Sequence, residues 1–425
     1  MNSDLKKLYN AFSPEPLPAG DKKYVDFQAV RGGSDVLHLK KRIELSEKNS
    51  CQLYSGHMGG GKTTELFRLV VALKEAGYQV VYFTTGVDDI EPEDARYTDV
   101  LLACVRHLLR ELKEDSANSL HDWLRDRWES LQDFLSTKIE FSELKMKLPI
   151  AFMELSSAIK VNPTARSRIR ELLDPYTVTL VDALNEFIRA AKPDCDKLVL
   201  VVDGLDKIVK VVVDEKSKRT NLEEIFVDRS EQLRNLACHV VYTVPISLAH
   251  STCAVELENR YGQRVEILPM VTIRQRGTPE LCECGLKTLS QLIEKRLSVT
   301  TLNLHNFVKE EELRHLCLMS GGHVRNLVQL VRTAIEHSAS LPLSAKAVEK
   351  AVSQMRDTLR RSIEADEWDK LAAVHRDQDE KDHRDLLFRR IILEYRDDNE
   401  KTWHDVHPLV EDMDEFKAAY ARLSA

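Results

Sequence analysis

The chain has 425 residues, of which 43% are hydrophobic and 31% are charged, and its formal net charge is −8. This length predicts two to three domains, and the acidic balance argues against a protein dedicated to coating nucleic acid. The first residues lack the apolar core of a signal peptide and no apolar run has the length to cross a bilayer, so we expect a cytoplasmic protein without membrane contact.

The first 49 residues are predicted to form an N-terminal lead-in. Pro14, Pro16 and Pro18 favour an extended chain, because proline fixes φ and has no backbone N–H to donate. A charged helix is expected around residues 35–48, before the first predicted strand.

A glycine loop follows, in the run Gly56-His-Met-Gly-Gly-Gly-Lys62-Thr63-Thr64, which fits the phosphate-binding pattern G-x-x-x-x-G-K-[ST]. Glycines let the backbone curl tightly and aim successive N–H groups at one anion. Lys62 would supply a positive charge to the β- and γ-phosphates, the Thr63 hydroxyl would complete a Mg²⁺ shell, and Thr64 lies in the first helical turn, which also favours phosphate. The predicted nucleotide-binding residues are Gly56, Gly59, Gly60, Gly61, Lys62, Thr63 and Thr64.

The flanking sequence separates this motif from a chance glycine-rich turn. Residues 51–55 have the length and apolarity of a buried strand, and apolar residues recur at helical spacing after the loop until Gly77 ends the pattern. Strand, glycine loop, helix and stop are the context that the motif needs. We therefore predict that the chain binds a nucleoside triphosphate.

Three segments are predicted after this unit. Residues 79–85 form a second strand, and the acidic residues 88–94 are interpreted as a solvated connection rather than a metal site. A helix is expected over residues 97–114, from the spacing of its apolar residues.

This helix opens a large helical insertion, residues 97–192, between two strands that a single helix would commonly connect. Its last part is predicted to be one long helix over residues 164–191. Arg166, Arg168 and Arg170 are interpreted as solvated surface, because a spacing of two spreads side chains over different helix faces.

The remaining strands complete a predicted sheet. An apolar run over residues 197–203 ends in an aspartate and suits a parallel strand buried on both faces. A helix over residues 221–236 separates it from strands over residues 239–243 and 264–268. Strands alternating with helices predict an α/β fold, the three-layer parallel sheet of a P-loop NTPase.

The C-terminal third is predicted to hold a helical lid, residues 285–360, and a small module, residues 361–425. Helix, strand, polar turn and strand in the module favour a winged helix. Because residues 366–415 hold about twice as many acidic as basic side chains, a protein-binding or packing role is favoured over DNA binding. His404 and His407 lie close together without further ligands and are expected to be structural.

The glycine loop and the run Asp203-Gly-Leu-Asp206 together resemble the ATPase cores of the AAA+ and STAND families, and the small residue after the first aspartate is similar to the NACHT-like branch. The resemblance covers roughly residues 25–340. It implies ATP as the nucleotide, an ATPase core over residues 50–275, and Mg²⁺ held by Asp203 and Thr63.

One position departs from the family pattern. A typical AAA+ protein carries a glutamate that polarises the attacking water where this chain has Gly204. Asp206 is the nearest acid, so it takes the role of base or water-positioning group, with hydrolysis slow or dependent on a partner. Val30-Arg31-Gly32 is a candidate for the base pocket.

The resemblance assigns further roles. Thr243 stands where a polar sensor of the γ-phosphate is expected, and Ser320-Gly-Gly-His-Val-Arg325 is similar to the turn that opens the lid of origin-recognition ATPases. Arg325 would then reach the phosphates; the alternative is a surface arginine. Arg260, with Arg264 as second candidate, stands where AAA+ subunits present an arginine finger, and a solvated arginine is the equal alternative. The predicted catalytic residues are Lys62, Asp203, Asp206, Thr243, Arg260 and Arg325.

These patterns favour a Mg²⁺-dependent, ATP-binding and hydrolysing switch that controls a partner or its own oligomerisation. Family analogy implies a homo-oligomer, a separate protein effector and a role in bacterial signalling or antiviral defence. One alternative is a DNA-binding ATPase of the origin-recognition or transposition-helper type, which the acidic tail opposes. Another is a nucleotide-bound scaffold with negligible turnover, which Gly204 favours.

Overall fold

A computed structural model of the chain describes residues 3–85, 89–112, 117–134, 139, 143–144, 146–379, 383–397 and 399–424. They form two compact units, each with its own hydrophobic core. Unit one combines Met1–Val36, Gly56–Arg68 and Ile267–Ala425, and unit two combines Leu37–Ser55 and Leu69–Glu266. The predicted domain boundaries divide the chain elsewhere and stay a prediction.

Nine strands form three sheets in the described part of the chain. The large sheet has the order β2-β3-β6-β1-β7, in which β2–β3, β3–β6 and β6–β1 are parallel pairs, and β4–β5 and β8–β9 are antiparallel hairpins. The predicted α/β fold with a parallel sheet is confirmed. The strands are β1 (Cys51–Gly56), β2 (Gln79–Thr84), β3 (Leu198–Asp203), β4 (Val212–Asp214), β5 (Arg219–Thr220), β6 (His239–Thr243), β7 (Glu266–Leu268), β8 (Ile392–Arg396) and β9 (Thr402–Val406).

The parallel register brings polar strand ends to one edge of the large sheet. Thr84 lies opposite Asp203, and Thr243 lies opposite Tyr54. All six residues of β3 are buried, as its unbroken apolar run predicts for a strand covered on both faces. The sheet therefore carries Asp203 and Thr243 at the edge where ligand-binding residues of α/β proteins cluster.

Helices fill most of the remaining chain, and among the described residues none is long and apolar enough to cross a membrane. The first half is α1 (Ser3–Ala11), α2 (Leu37–Leu45), α3 (Lys62–Glu75), α4 (Tyr97–Glu111), α5 (Asn118–Arg125), α6 (Trp128–Leu131), α7 (Leu148–Val161), α8 (Pro163–Leu173), α9 (Thr177–Ala191), α10 (Asn221–Glu223) and α11 (Ser230–Arg234). The second half is α12 (Ile246–Ala249), α13 (Ala254–Tyr261), α14 (Glu283–Leu297), α15 (Leu304–Phe307), α16 (Glu310–Met319), α17 (Val324–Glu336), α18 (Ala345–Arg360), α19 (Trp368–Asp377), α20 (Arg384–Phe388), α21 (Pro408–Glu411) and α22 (Asp414–Ser424).

The helical insertion shares one hydrophobic core with the sheet of unit two. Phe152 and Leu184 from the insertion belong to the same buried cluster as Leu200 of β3. The predicted single helix over residues 164–191 is wrong, because α8 and α9 are separated by a 3₁₀ turn that contains Pro175. Proline has no N–H for the helical ladder and its ring clashes with the preceding turn.

The helix predicted over residues 221–236 is also interrupted. α10 passes into a π-helical segment, Glu224–Asp228, before α11 begins. The hairpin of β4 and β5 was not predicted, since its strands are only three and two residues long. The helix expected over residues 97–114 ends at Glu111, and residues 113–116 lie outside the described residues.

The solvated-surface interpretation of the arginines in α8 is wrong for two of them. Arg166 and Arg170 are buried, whereas Arg168 is exposed. Arg166 Nη1 donates to Asp94 Oδ2 at 2.8 Å, and Arg170 binds both carboxylate oxygens of Asp99, at 2.6 and 3.0 Å. Residues four apart share a helix face, so Arg166 and Arg170 point to the same side. Arg168 is two residues from each and lies on another face.

The acidic segment of residues 88–94 is likewise more than a solvated connection. Asp89 is buried, and its carboxylate accepts from Arg106 Nη1 at 2.7 Å and lies 3.0 Å from His107 Nε2. Asp94 binds the arginines of α8, and Asp88 lies outside the described residues. The segment fastens the end of β2 to the insertion.

The second core, in unit one, joins the lid helices to the C-terminal hairpin. Tyr395 and Trp403 stack with ring centroids 4.5 Å apart, and the Tyr395 hydroxyl donates to Gly321 O at 2.9 Å. The predicted order of helix, strand, turn and strand is confirmed by α20, β8 and β9. Lid and C-terminal module are therefore packed around a common core.

Candidate nucleotide-binding site

The glycine loop between β1 and α3 is backed by the turn that opens α17. Gly59 has φ +86°, and a Cβ there would lie 2.7 Å from His323 Cε1 and 3.1 Å from Arg325 Cδ. Only glycine fits both the left-handed backbone and this close approach. The Ser320–Arg325 turn thus contacts the loop.

Every carbonyl of the loop accepts a hydrogen bond from a neighbouring donor. The pairs are Gly56 O with Lys62 Nζ at 2.8 Å, His57 O with Lys62 Nζ at 3.0 Å, Met58 O with His323 Nε2 at 2.8 Å, Gly59 O with Arg325 N at 3.2 Å, Gly60 O with Arg31 Nη2 at 2.7 Å and Gly61 O with Glu65 N at 3.1 Å.

This arrangement decides what the loop offers to a ligand. Since the carbonyls are held by donors, the loop presents N–H groups rather than C=O groups to an anion, although the Gly60 N–H is used within the loop on His57 O at 3.0 Å. Successive N–H groups in a curled backbone at a helix N-terminus form an anion-binding concavity. The loop therefore fits phosphate.

The three residues that start α3 differ in their surroundings. Lys62 is 5% exposed, and its ammonium bonds to two loop carbonyls, from which it would turn to a bound phosphate. Thr63 is half-buried in the first turn of α3. The Thr64 hydroxyl instead accepts the N–H of Leu17 at 3.1 Å, so it docks the N-terminal segment against the loop.

Arg31 was missed as a loop residue by the sequence analysis, which placed it in a candidate base pocket. Its side chain is 2% exposed, lies 5.1 Å from the ring centre of Phe27 and holds the Gly60 carbonyl. A buried guanidinium must find acceptors, and this one finds a carbonyl of the loop. No local pattern could reveal a pairing across 29 residues.

His323, in the turn that opens α17, was given no role by the sequence analysis. Its hydrogen bonds define its tautomer and show that it contacts the loop. The Asn326 N–H donates to its Nδ1 at 3.1 Å, so Nε2 carries the proton that it donates to Met58 O. Burial and the positive charge of Arg390 hold the pKa of His323 well below its usual range. The residue is thus a neutral clamp on the loop.

In unit two, Asp203 ends β3 with both carboxylate oxygens engaged. Oδ1 accepts the Gly204 N–H at 2.7 Å, and Oδ2 accepts the Tyr82 hydroxyl at 3.0 Å. Burial and the carboxylate raise the pKa of Tyr82, so its hydroxyl remains a donor. Both oxygens of this carboxylate therefore accept hydrogen bonds, and carboxylate oxygens are ligands that Mg²⁺ prefers.

The Thr243 hydroxyl lies against the same turn. It accepts the Leu205 N–H at 3.1 Å and donates to Val202 O at 3.4 Å, which ties the end of β6 to the segment that carries Asp203 and Asp206. Asp206 is buried one residue further, within a 3₁₀ turn. The structure thus brings Asp203, Asp206 and Thr243 together, as the sheet topology predicts.

Gly204, the residue after Asp203, is fixed as glycine by its surroundings. Its φ is +92°, and a Cβ there would lie 2.9 Å from Thr85 Oγ1 and 3.0 Å from Thr84 Oγ1. A side chain would be strained by the backbone and crowded by the end of β2. This turn therefore requires glycine at position 204.

The two candidate arginine fingers differ in exposure. Arg260, at the end of α13, has a side chain 40% exposed that is held by Glu256 at 2.7 Å and by Ser230 Oγ at 3.3 Å. Arg264 has a side chain 84% exposed, with its Nε 3.4 Å from Glu258. The role of either residue as an arginine finger stays a prediction.

The solved structures that are similar to this chain include three archaeal proteins. Cdc6p from Pyrobaculum aerophilum has 12% identity and a TM-score of 0.42, with 97% of each chain covered. The Aeropyrum pernix ORC2 protein, in ADPNP–ADP complexes, has 14% identity and a TM-score of 0.38 over 98% of each chain. A Walker-type ATPase of Pyrococcus abyssi has 12% identity and a TM-score of 0.43, covering 94% of this chain and 98% of that chain.

No protein-family model and no curated protein matches the chain. Similarity this low supports no assignment of activity.

Proposed function

We propose that this protein is a Mg²⁺-dependent ATP-binding and hydrolysing switch. The observation that supports this most strongly is the hydrogen bonding of the glycine loop, in which each carbonyl from Gly56 to Gly61 is held by a donor. Such a loop can bind the triphosphate group of a nucleotide through its N–H groups and Lys62.

The residues take the following roles in the proposal. Lys62 binds the β- and γ-phosphates, Thr63 and Asp203 hold Mg²⁺, and Asp206 positions the attacking water. Mg²⁺, when bound, would neutralise charge that develops on the phosphates. Thr243 and Arg325 respond to the γ-phosphate.

Turnover is expected to be slow, because Gly204 leaves the water to an aspartate with a shorter reach than glutamate. Arg325 belongs to the lid turn, so nucleotide bound on the loop would bias the lid and the module packed with it. The output is then the control of a separate effector or of self-assembly, with Arg260 or Arg264 completing a neighbour's site. As the most specific part of the proposal, the switch acts in bacterial signalling or antiviral defence.

The proposal is tested by steady-state ATP hydrolysis over a wide range of protein concentration, with Lys62→Ala as the blank. Asp206→Asn should bind ATP normally but hydrolyse it about 10²-fold or more slowly, and the exposed Asp194→Asn should match the wild type. Specific activity that rises with concentration supports assembly. Equal turnover in Asp206→Asn would move the water-positioning role to another residue.

A second candidate function, a DNA-binding ATPase, is favoured by one surface. Residues 207–219, which include the hairpin of β4 and β5, carry five basic and two acidic side chains in a chain of net charge −8. Lys207, Lys210, Lys216 and Lys218 are exposed. A cationic β-ribbon is suited to the phosphates of a duplex groove.

This candidate predicts salt-dependent binding to duplex DNA. Replacing Lys216 and Lys218 by glutamate should weaken binding and lower the salt slope by about 2, because each lost phosphate contact removes roughly 0.9 from it. The same change at the exposed Lys346 and Lys350 of α18 is the matched control. Binding that is weak and unaffected by either pair would exclude the DNA function.

A further inference from the structure

The chain from Leu387 in α20 to Glu394 in β8 is fastened to the glycine loop at both of its ends by His57. The ring is 1% exposed; its Nε2 accepts the Glu394 N–H at 2.9 Å, and its Nδ1 lies 3.2 Å from Leu387 O. Since Nε2 accepts, Nδ1 carries the proton and donates to that carbonyl. Burial, together with nearby His323 and Lys62, holds the pKa of His57 well below its usual range, as a neutral ring requires.

Arg390 lies within this fastened segment and has an unusual backbone. Its φ is +64°, in the left-handed region that non-glycine residues rarely adopt. Such strain persists only where the surrounding structure fixes it, and it concentrates at functional positions. The neighbouring residues Leu387 and Glu394, both held by His57, fix it here.

Arg325 and the segment that carries Arg390 both contact the glycine loop, since the Arg325 N–H donates to Gly59 O at 3.2 Å and His57 holds Leu387 and Glu394. Arg325 Cδ lies 3.1 Å from the position of a Cβ on Gly59, and burial and the charge of Arg325 lower the pKa of Arg390. Among the described residues, no carboxylate pairs with either guanidinium. Arg389, one residue away, instead binds Glu367 and the Ser362 carbonyl.

Two positive charges beside one loop repel each other, and the repulsion is stronger where the site is partly buried. An anion between or beside them would remove the repulsion and gain charge-assisted hydrogen bonds from both. The anion that belongs at this loop is the phosphate tail of the nucleotide.

We infer that Arg390 is a second phosphate-binding arginine, which with Arg325 binds the terminal phosphate of the nucleotide on the glycine loop. This inference rests on the proposed function and extends it to the C-terminal module. ATP then bridges the loop, the lid turn and the segment before β8, whereas ADP lacks the phosphate that Arg390 contacts. The module thereby senses whether the nucleotide is a triphosphate.

The test is calorimetric titration of the full chain with ATP and with ADP, in the presence of Mg²⁺. Arg390→Ala should weaken ATP binding by about 10- to 100-fold, the loss expected for one charged hydrogen-bonding partner, and change ADP binding much less. Arg389→Ala removes an equal charge from the adjacent residue and should bind both nucleotides like the wild type. Arg390→Lys keeps the charge but not the planar fork, so its affinity for ATP should be intermediate.

Thermal unfolding gives an independent readout. Without nucleotide, Arg390→Gly should unfold at the same or a higher temperature than the wild type, because the substitution removes both the repulsion and the backbone strain. Its stabilisation by ATP should be smaller.

The outcomes separate this inference from the proposed function. Unchanged ATP affinity in Arg390→Ala, with binding abolished in Lys62→Ala, would overturn the inference and leave the function standing. An equal loss for ATP and ADP would contradict the terminal-phosphate assignment. Unchanged affinity in both variants would overturn the nucleotide site itself.

Discussion

Gly204 shows how one residue can set the chemistry of the proposed site. Its backbone is left-handed, and two threonine hydroxyls lie within about 3.0 Å of the position that a Cβ would take. A site with this turn cannot place a carboxylate directly after Asp203. The nearest acid, Asp206, is carried on the following 3₁₀ turn.

A glutamate at position 204 is therefore expected to destabilise the protein. Gly204→Glu should lower the free energy of unfolding by at least about 1–3 kcal/mol, from the backbone conformation alone, and should not speed ATP hydrolysis. Urea unfolding and a hydrolysis assay check both. Gly262→Glu is the matched control, since Gly262 has φ +71° but no atom within 4 Å of an added Cβ. A stable Gly204→Glu protein with faster turnover would show that the turn adapts.

At the scale of elements, α8 is anchored by charge as well as by apolar packing. Arg170 binds both oxygens of Asp99, whose side chain is fully buried, and Asp99 also accepts the Arg96 N–H at the start of α4. Removing one partner of such a pair leaves an uncompensated buried charge. We therefore expect this pair to contribute to the stability of the insertion, in addition to the shared apolar core.

Arg170→Met should destabilise the protein by about 3–5 kcal/mol, the range for breaking a buried ion pair. Arg168→Met, on the exposed face of the same helix, should change stability by no more than about 0.5 kcal/mol. Chemical unfolding of both variants measures the difference. Equal effects would mean that the pair contributes little.

The turn after β9 is an element whose stability should depend on pH. His407 is buried, its Nδ1 accepts the Leu409 N–H at 3.2 Å, and burial with the nearby Arg390 lowers its pKa to about 3. The unfolded chain binds a proton on this residue below about pH 6.5, whereas the folded chain does not until about pH 3. The contribution of the neutral His407 ring to the free energy of unfolding is therefore complete above about pH 6.5 and is lost as the pH falls toward 3.

His407→Gln should flatten this part of the stability profile, because glutamine does not titrate. Denaturant unfolding between pH 7 and pH 4 provides the measurement, and His305→Gln, at an exposed position in α15, is the control. Profiles for wild type and His407→Gln that stay parallel would contradict the assignment of a buried neutral ring.

At the scale of the whole molecule, the sequence predicts best what is local. The order of β1, glycine loop and α3 follows from neighbouring residues, and the apolar run of β3 identifies a buried strand. Contacts between distant residues were not predictable. His57 and Glu394 are 337 positions apart, and Arg170 and Asp99 are 71 apart, so no spacing rule connects them. A charged side chain therefore looked solvated until its partner was known.

The claim on which the other proposals depend is that the glycine loop binds the phosphates of ATP. Titration of the protein with ATP and Mg²⁺ tests this directly when the wild type is compared with Lys62→Ala and with Lys74→Ala, an exposed lysine at the end of the same helix. We predict saturable binding to the wild type and to Lys74→Ala, and none to Lys62→Ala. Equal affinity in all three proteins would contradict the account.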